Sequence, residues 1–131
     1  MKENKENSVV VLVVEDEALI QQVLQDVLED GGYAVRKAFN GDEAIRMLDA
    51  RGDEFRALIT DINLGSLPTG WDVARHAREL FPHLPVIYAT TVSPDEWAAN
   101  GVPNSILITK PFAAAQIVSA VSQLLNAPPA T

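Results

Sequence analysis

The chain has 131 residues, room for one compact domain and not for two. A hydrophobic fraction of 47% and a charged fraction of 21% are those of an ordinary soluble globule, and the absence of cysteine excludes a disulfide framework, thiolate metal sites and a cysteine nucleophile. Eighteen acidic residues against ten basic ones give a net charge of −8, which argues against direct binding to nucleic acid and against docking on anionic lipid.

Residues 1–8 are polar and mixed in charge and read as a disordered lead-in. The apolar run behind them, Val9 to Val14, is six residues long, whereas a spanning helix needs about 20. No leader is evident, so a cytoplasmic location is expected. The β-branched run shows no polar alternation, as in a strand covered on both faces. From Glu17 to Asp30, Ile20, Leu24, Val27 and Leu28 recur at helical spacing, and Gly31-Gly32 stops the helix. Ala34 to Ala38 is a second strand, which Arg36 and Lys37 assign to a sheet edge. After the Asn40-Gly41 turn, Ala44, Ile45 and Leu48 give the inner stripe of a second helix.

Ala57 to Asp61 is a third strand, followed by a polar loop from Asn63 to Gly70. Thr69-Gly-Trp-Asp72 has the spacing of a capping box, and Val73, Ala77 and Leu80 carry the third helix to Pro82. Pro85 to Ala89 is a fourth strand. Ser93-Pro-Asp-Glu96 then starts a short helix with a serine cap, a proline in the first turn and a closing glutamate. Ser105 to Thr109 is a fifth strand, and Ile117, Val121, Leu124 and Leu125 stripe a last helix. Residues 9–126 thus form one α/β domain, and 127–131, Ala-Pro-Pro-Ala-Thr, read as a flexible tail. Five strands alternating with helices imply a doubly wound parallel sheet with helices on both faces. Ligands of such sheets bind beyond the carboxyl ends of the strands.

Chemically able residues fall at those ends: Glu15 and Asp16 after strand one, Asp61 closing strand three, Thr90 and Thr91 after strand four, and Lys110 after strand five. Gathered carboxylates repel one another, so a proton or a cation must compensate. A hard divalent ion such as Mg²⁺ suits a few carboxylates plus a backbone carbonyl from the Asn63 loop. That ion and the Lys110 ammonium would place positive charge around Asp61, as an incoming phosphoryl group requires. An aspartate carboxylate is a recognised phosphoryl acceptor, and a threonine hydroxyl at the next strand end can donate to a phosphoryl oxygen. Singly, each residue has a plainer reading: Asp16 as a helix cap, Asp61 as an Asx-turn, Lys110 as surface charge. Their coincidence at one sheet edge favours the joint reading. His76 in a helix, His83 in a turn and the helix-initial Trp71 and Trp97 keep the plain readings of surface and packing residues.

The motifs Val11-Leu-Val-Val-Glu-Asp-Glu17, Asn40-Gly-Asp-Glu-Ala-Ile45, Leu58-Ile-Thr-Asp-Ile-Asn63, Pro85-Val-Ile-Tyr-Ala-Thr90 and Thr109-Lys-Pro-Phe112 resemble those of response-regulator receiver domains of two-component signalling, of the stand-alone type. The resemblance covers about residues 8 to 126. It implies a flavodoxin-like (βα)5 fold with strand order 2-1-3-4-5. It further implies that Asp61 accepts a phosphoryl group from a histidine kinase or histidine phosphotransfer protein. Glu15, Asp16, Asp61 and the Asn63 carbonyl would hold Mg²⁺, and Thr90, Thr91 and Lys110 would line the phosphoryl group. The Lys110-Pro111 bond would be cis. A downstream protein partner would read the phosphorylated state, and the chain would catalyse only its own phosphorylation and dephosphorylation. Three departures stand out. The fourth helix reads as a turn short, and Gly65 stands where the family often has proline. Leu107 occupies the position of the family's switch aromatic, and Thr91 stands where a small residue is usual. They leave open a degenerate receiver that binds a partner without phosphorylation. Oligomeric state stays open.

Overall fold

A computed structural model describes residues 9–126, and the expected lead-in at 1–8 and tail at 127–131 lie outside the described residues. In chain order the elements are β1 (Val10–Val14), α1 (Ala18–Asp30), β2 (Ala34–Ala38), α2 (Gly41–Arg51), β3 (Phe55–Thr60), α3 (Gly70–Leu80), β4 (Val86–Thr90), α4 (Pro94–Asn100), β5 (Ser105–Thr109) and α5 (Ala114–Asn126). All four pairings are parallel, and the strand order is 2-1-3-4-5. This is the flavodoxin-like arrangement, with the order reversing between β1 and β3, where the strand ends leave a crevice.

The unbroken apolar strands follow from two-sided burial. Val11, Val13, Ala57, Ile59 and Ile87 face Leu24 and Leu28 of α1 and Ile117 and Val121 of α5. Leu12, Val14, Leu58, Val86 and Tyr88 face Ala44 and Leu48 of α2 and Val73 and Ala77 of α3. Successive strand residues point to opposite faces, so a covered strand has no position for a polar side chain. Arg36 is exposed on β2, which sits at one sheet edge, and β5 forms the other.

Several boundaries differ from the sequence expectation. β3 begins two residues early because a 3-10 turn at Gly52–Glu54 delivers Phe55 into the core, and it ends at Thr60, leaving Asp61 just past the strand. β4 begins at Val86: Pro85 has no N–H to donate, although its carbonyl accepts from Leu58 N at 2.9 Å. Leu80 is exposed at the end of α3, and Ala74 takes its place in the buried stripe. Leu124 and Leu125 are only half-buried. On α1 a polar residue, Gln21, is buried with Leu24 and Leu28. Both capping boxes form: Thr69 with Asp72, and Ser93 with Glu96. No helix among the described residues is long and apolar enough to cross a membrane.

Candidate functional site

The three acidic side chains come from two adjacent strand ends. Val14 is the last residue of β1, so Glu15 and Asp16 form the turn into α1. Asp61 follows β3 directly, and its N–H donates to the Val14 carbonyl at 3.0 Å, which carries the β1–β3 ladder one step beyond the strands. Oxygens of Glu15, Asp16 and Asp61 all lie within 4.8 Å of one another. Glu15 is 1% exposed and Asp61 8%, whereas Asp16 is open to solvent. The cap of α1 is Glu17, with no side-chain cap bond, so Asp16 does not serve as the helix cap.

Lys110 closes the cluster from β5. Its N–H donates to the Thr90 carbonyl at 2.9 Å. Its Nζ donates to Glu15 Oε1 at 2.7 Å and to Asp61 Oδ2 at 2.8 Å, both lengths of charge-assisted bonds. The remaining oxygens are held by backbone: Glu17 N donates to Glu15 Oε2 at 3.1 Å, and Ile62 N to Asp61 Oδ1 at 2.7 Å. Burial, the largest influence, pushes the Glu15 carboxyl up, and the Lys110 and Glu17 hydrogen bonds pull it back only in part. Burial is also the largest influence on Lys110 and works against its charge, but the hydrogen bonds and charges of Asp61 and Glu15 together outweigh it and hold the ammonium above the ordinary lysine range.

The donor set suits a hard divalent cation. Three carboxylates beside one ammonium leave a formal charge of two negative, which one divalent ion neutralises. Asp16 makes no hydrogen bond or ion pair among the described residues, so its oxygens are available as ligands. Gly65, at φ +81°, brings its loop close to Asp16: a Cβ there would sit 3.4 Å from Oδ2.

Residues 11–122 match the response regulator receiver domain family. The chain belongs to that family. It is similar in structure to a response regulator receiver protein from Sinorhizobium medicae WSM419, with 43% identity, a TM-score of 0.89 and coverage of 93% of this chain and 98% of that one. Among curated relatives, the transcriptional regulatory protein DltR of Streptococcus agalactiae serotype III (strain NEM316) is 32% identical over 85% of this chain and 49% of its own length. The sensor kinase CckA of Brucella abortus (strain 2308) is 27% identical over 91% of this chain and 13% of its own. The chain therefore spans about half, or much less, of these curated relatives. Receiver domains are phosphoacceptor modules that take phosphoryl groups from histidine kinases and bind Mg²⁺ at an acidic pocket.

The remaining residues that sequence singled out in this receiver are distributed as follows. Thr90 is buried at the end of β4. Thr91 is exposed and lines an open apolar groove of about 390 Å³ with Ile20, Val23, Lys110, Pro111 and Phe112. Asn63 is exposed, and its Oδ1 accepts from Gly65 N at 3.3 Å. The Lys110-Pro111 bond is cis, and so is Leu67-Pro68, which no motif signals. Leu107 is half-buried and pairs with Tyr88 across β4 and β5. His76 meets Asp49 at 2.7 Å on the α2–α3 side, away from the acidic set.

Two residues that shape the site are missed by motif reading. Gly70, the first residue of α3, packs directly on the backbone of Asp61 and Ile62, and its N–H donates to the Ile62 carbonyl at 2.8 Å. Its place right after the Thr69 cap was the available signal. The other is Tyr88, fully buried and in register with Thr60 across β3 and β4, with its ring 4.9 Å from Trp71 and its hydroxyl accepting from Val102 N at 3.1 Å.

Proposed function

We propose that this receiver is a switch in which Asp61 accepts a phosphoryl group from the phosphohistidine of a histidine kinase or a histidine phosphotransfer protein, and in which the phosphorylated form alters protein–protein binding. The observation that carries the reading is the paired hydrogen bond of Lys110 Nζ to Glu15 and Asp61, with the Asp16 carboxylate beside them. In this reading Glu15, Asp16, Asp61 and the Asn63 carbonyl hold Mg²⁺. Bound Mg²⁺ supplies positive charge to the phosphoryl oxygens.

The chain's own part is alignment and charge. Both oxygens of Asp61 are engaged, one by Ile62 N–H and one by Lys110, so the carboxylate is presented in one orientation. An Asp61 oxygen forms the new bond to phosphorus as the P–N bond of the donor breaks. The electron pair stays on the imidazole, which leaves neutral when its other nitrogen carries a proton. The Lys110 ammonium and the Thr90 hydroxyl face charge developing on the phosphoryl oxygens. Hydrolysis of the acyl phosphate then resets Asp61, so the chain catalyses only its own phosphorylation and dephosphorylation. The reading is of a cytoplasmic module.

Incubation with a small phosphodonor and Mg²⁺, followed by intact-mass measurement, tests this. One added phosphoryl group is expected, lost in Asp61→Asn and absent with a chelator. An unmodified wild-type chain overturns the reading. It would favour a receiver that binds its partner without phosphorylation, to which Leu107 in place of a switch aromatic lends support.

A further inference from the structure

Gln21 is the one polar side chain in the buried stripe of α1, which it shares with Leu24 and Leu28. It is 1% exposed. Its Nε2 donates to three main-chain carbonyls: Ala38 at 3.0 Å, Val13 at 3.3 Å and Glu15 at 3.3 Å. An amide nitrogen carries two hydrogens, so three acceptors must share them. Its Oε1 is buried and has no hydrogen-bond partner among the described residues. The side chain thus satisfies main-chain acceptors while its own acceptor is left unpaired among the described residues, at a desolvation cost.

The three carbonyls share one location. Ala38 ends β2 and also accepts from Glu15 N at 3.1 Å, so its oxygen receives bonds from both the β1 exit and α1. Val13 lies just before that exit, and the Glu15 carbonyl opens the peptide unit that carries the Asp16 N–H. The amide thus clamps the backbone from which the Glu15 and Asp16 side chains are launched. We infer that Gln21 is a positioning residue for the acidic pair: it fixes the β1–α1 turn so that Glu15 stays on Lys110 while Asp16 converges on Asp61. The inference rests on the metal-assisted reading above and adds to it a residue that touches neither the ion nor the phosphoryl group.

Gln21→Met keeps length and removes the donor. Calorimetric titration of the full chain with MgCl₂ is expected to show binding weakened about 10- to 100-fold, the usual effect of losing a group that orients ligands. Tm is expected to fall, because the carbonyls of Val13, Glu15 and Ala38 lose a donor. Hydrogen exchange of the Glu15 amide, followed without Mg²⁺, is expected to quicken. Leu24→Val provides the reference, since it loosens the same helix without touching those carbonyls. Its Mg²⁺ affinity should match wild type. Unchanged affinity and unchanged Glu15 exchange in Gln21→Met would overturn the inference, as would equal losses in Gln21→Met and Leu24→Val. If wild type takes up no Mg²⁺, the metal reading fails, and the exchange measurement still decides whether Gln21 clamps the turn.

Discussion

At the scale of single residues, Gly70 and Tyr88 show how tightly the Asp61 end of β3 is enclosed. A Cβ on Gly70 would sit 2.7 Å from Ile62 Cα and closer still to the Asp61 carbonyl, and backbone on both sides leaves no flexible side chain to yield. Gly70→Ala is expected to cost roughly 1–3 kcal/mol through overpacking. It should also displace Asp61 and reduce phosphoryl uptake, so urea denaturation and intact mass should change together. A stable variant with full uptake would show that α3 tolerates a shift. Tyr88 raises a different issue. Its hydroxyl accepts from the N–H of Val102, which is itself buried. Tyr88→Phe orphans that donor and should cost about 1–3 kcal/mol. Burial holds the Tyr88 phenol above its ordinary value of 10.0, so the folded chain keeps a proton that the unfolded chain releases. Stability from this group is complete below about pH 10 and falls as pH rises toward the folded value. Urea midpoints at about pH 8 and about pH 11 should therefore converge between wild type and Tyr88→Phe. A gap that stays constant with pH would remove the titration argument.

At the scale of elements, what was legible in the chain depended on how local the causes are. The capping boxes of α3 and α4 are set by side chains three residues apart, so sequence shows them directly. The unbroken apolar run of β1 announces two-sided burial for the same reason. Gln21 was not legible, because a polar residue within a helix reads as surface and only the meeting of α1 with the ends of β1 and β2 makes it a core donor. The contrast between buried Glu15 and exposed Asp16 is likewise invisible in two adjacent acids, since the partner of Glu15, Lys110, lies 95 positions on. Helix α4 is the loosest element that sequence did expose: seven residues, none buried. It is tied down through Trp97 Nε1, which donates to Ser105 Oγ at 2.9 Å, while that hydroxyl donates to the Val102 carbonyl at 2.7 Å. Its amides should exchange faster than those of α1 and α5. Ser105→Ala breaks both links, should cost about 1–2 kcal/mol, and should speed exchange in α4 while leaving β1 and β3 unchanged. Uniform acceleration across the chain would mean that α4 is not a separate low-stability unit.

At the scale of the whole molecule, folding concentrates negative charge that the extended chain keeps apart. Glu15 and Asp16 leave β1, Asp61 leaves β3 and Lys110 leaves β5, so the acidic cluster exists only when those three strands are in register. An ion that binds the folded form alone stabilises it by about 2.7 kcal/mol when present at about a hundred times its dissociation constant. For a domain of this length that is a rise in Tm of roughly 10 °C. Asp16→Asn should abolish most of the rise, since it removes the solvent-facing carboxylate of the cluster. Lys110→Met sets up a sharper contrast. Without the ammonium, Glu15 and Asp61 keep their burial and lose their shared partner, so the metal-free protein should be destabilised by about 3–5 kcal/mol. The local formal charge then becomes three negative instead of two, and the gain in Tm on adding Mg²⁺ should exceed that of wild type. The net charge of −8 makes any salt mildly stabilising, so NaCl at matched ionic strength serves as the reference and should move all three proteins alike. If MgCl₂ and NaCl produce equal shifts in every variant, the carboxylates answer to general screening and the assembled site does not hold the ion.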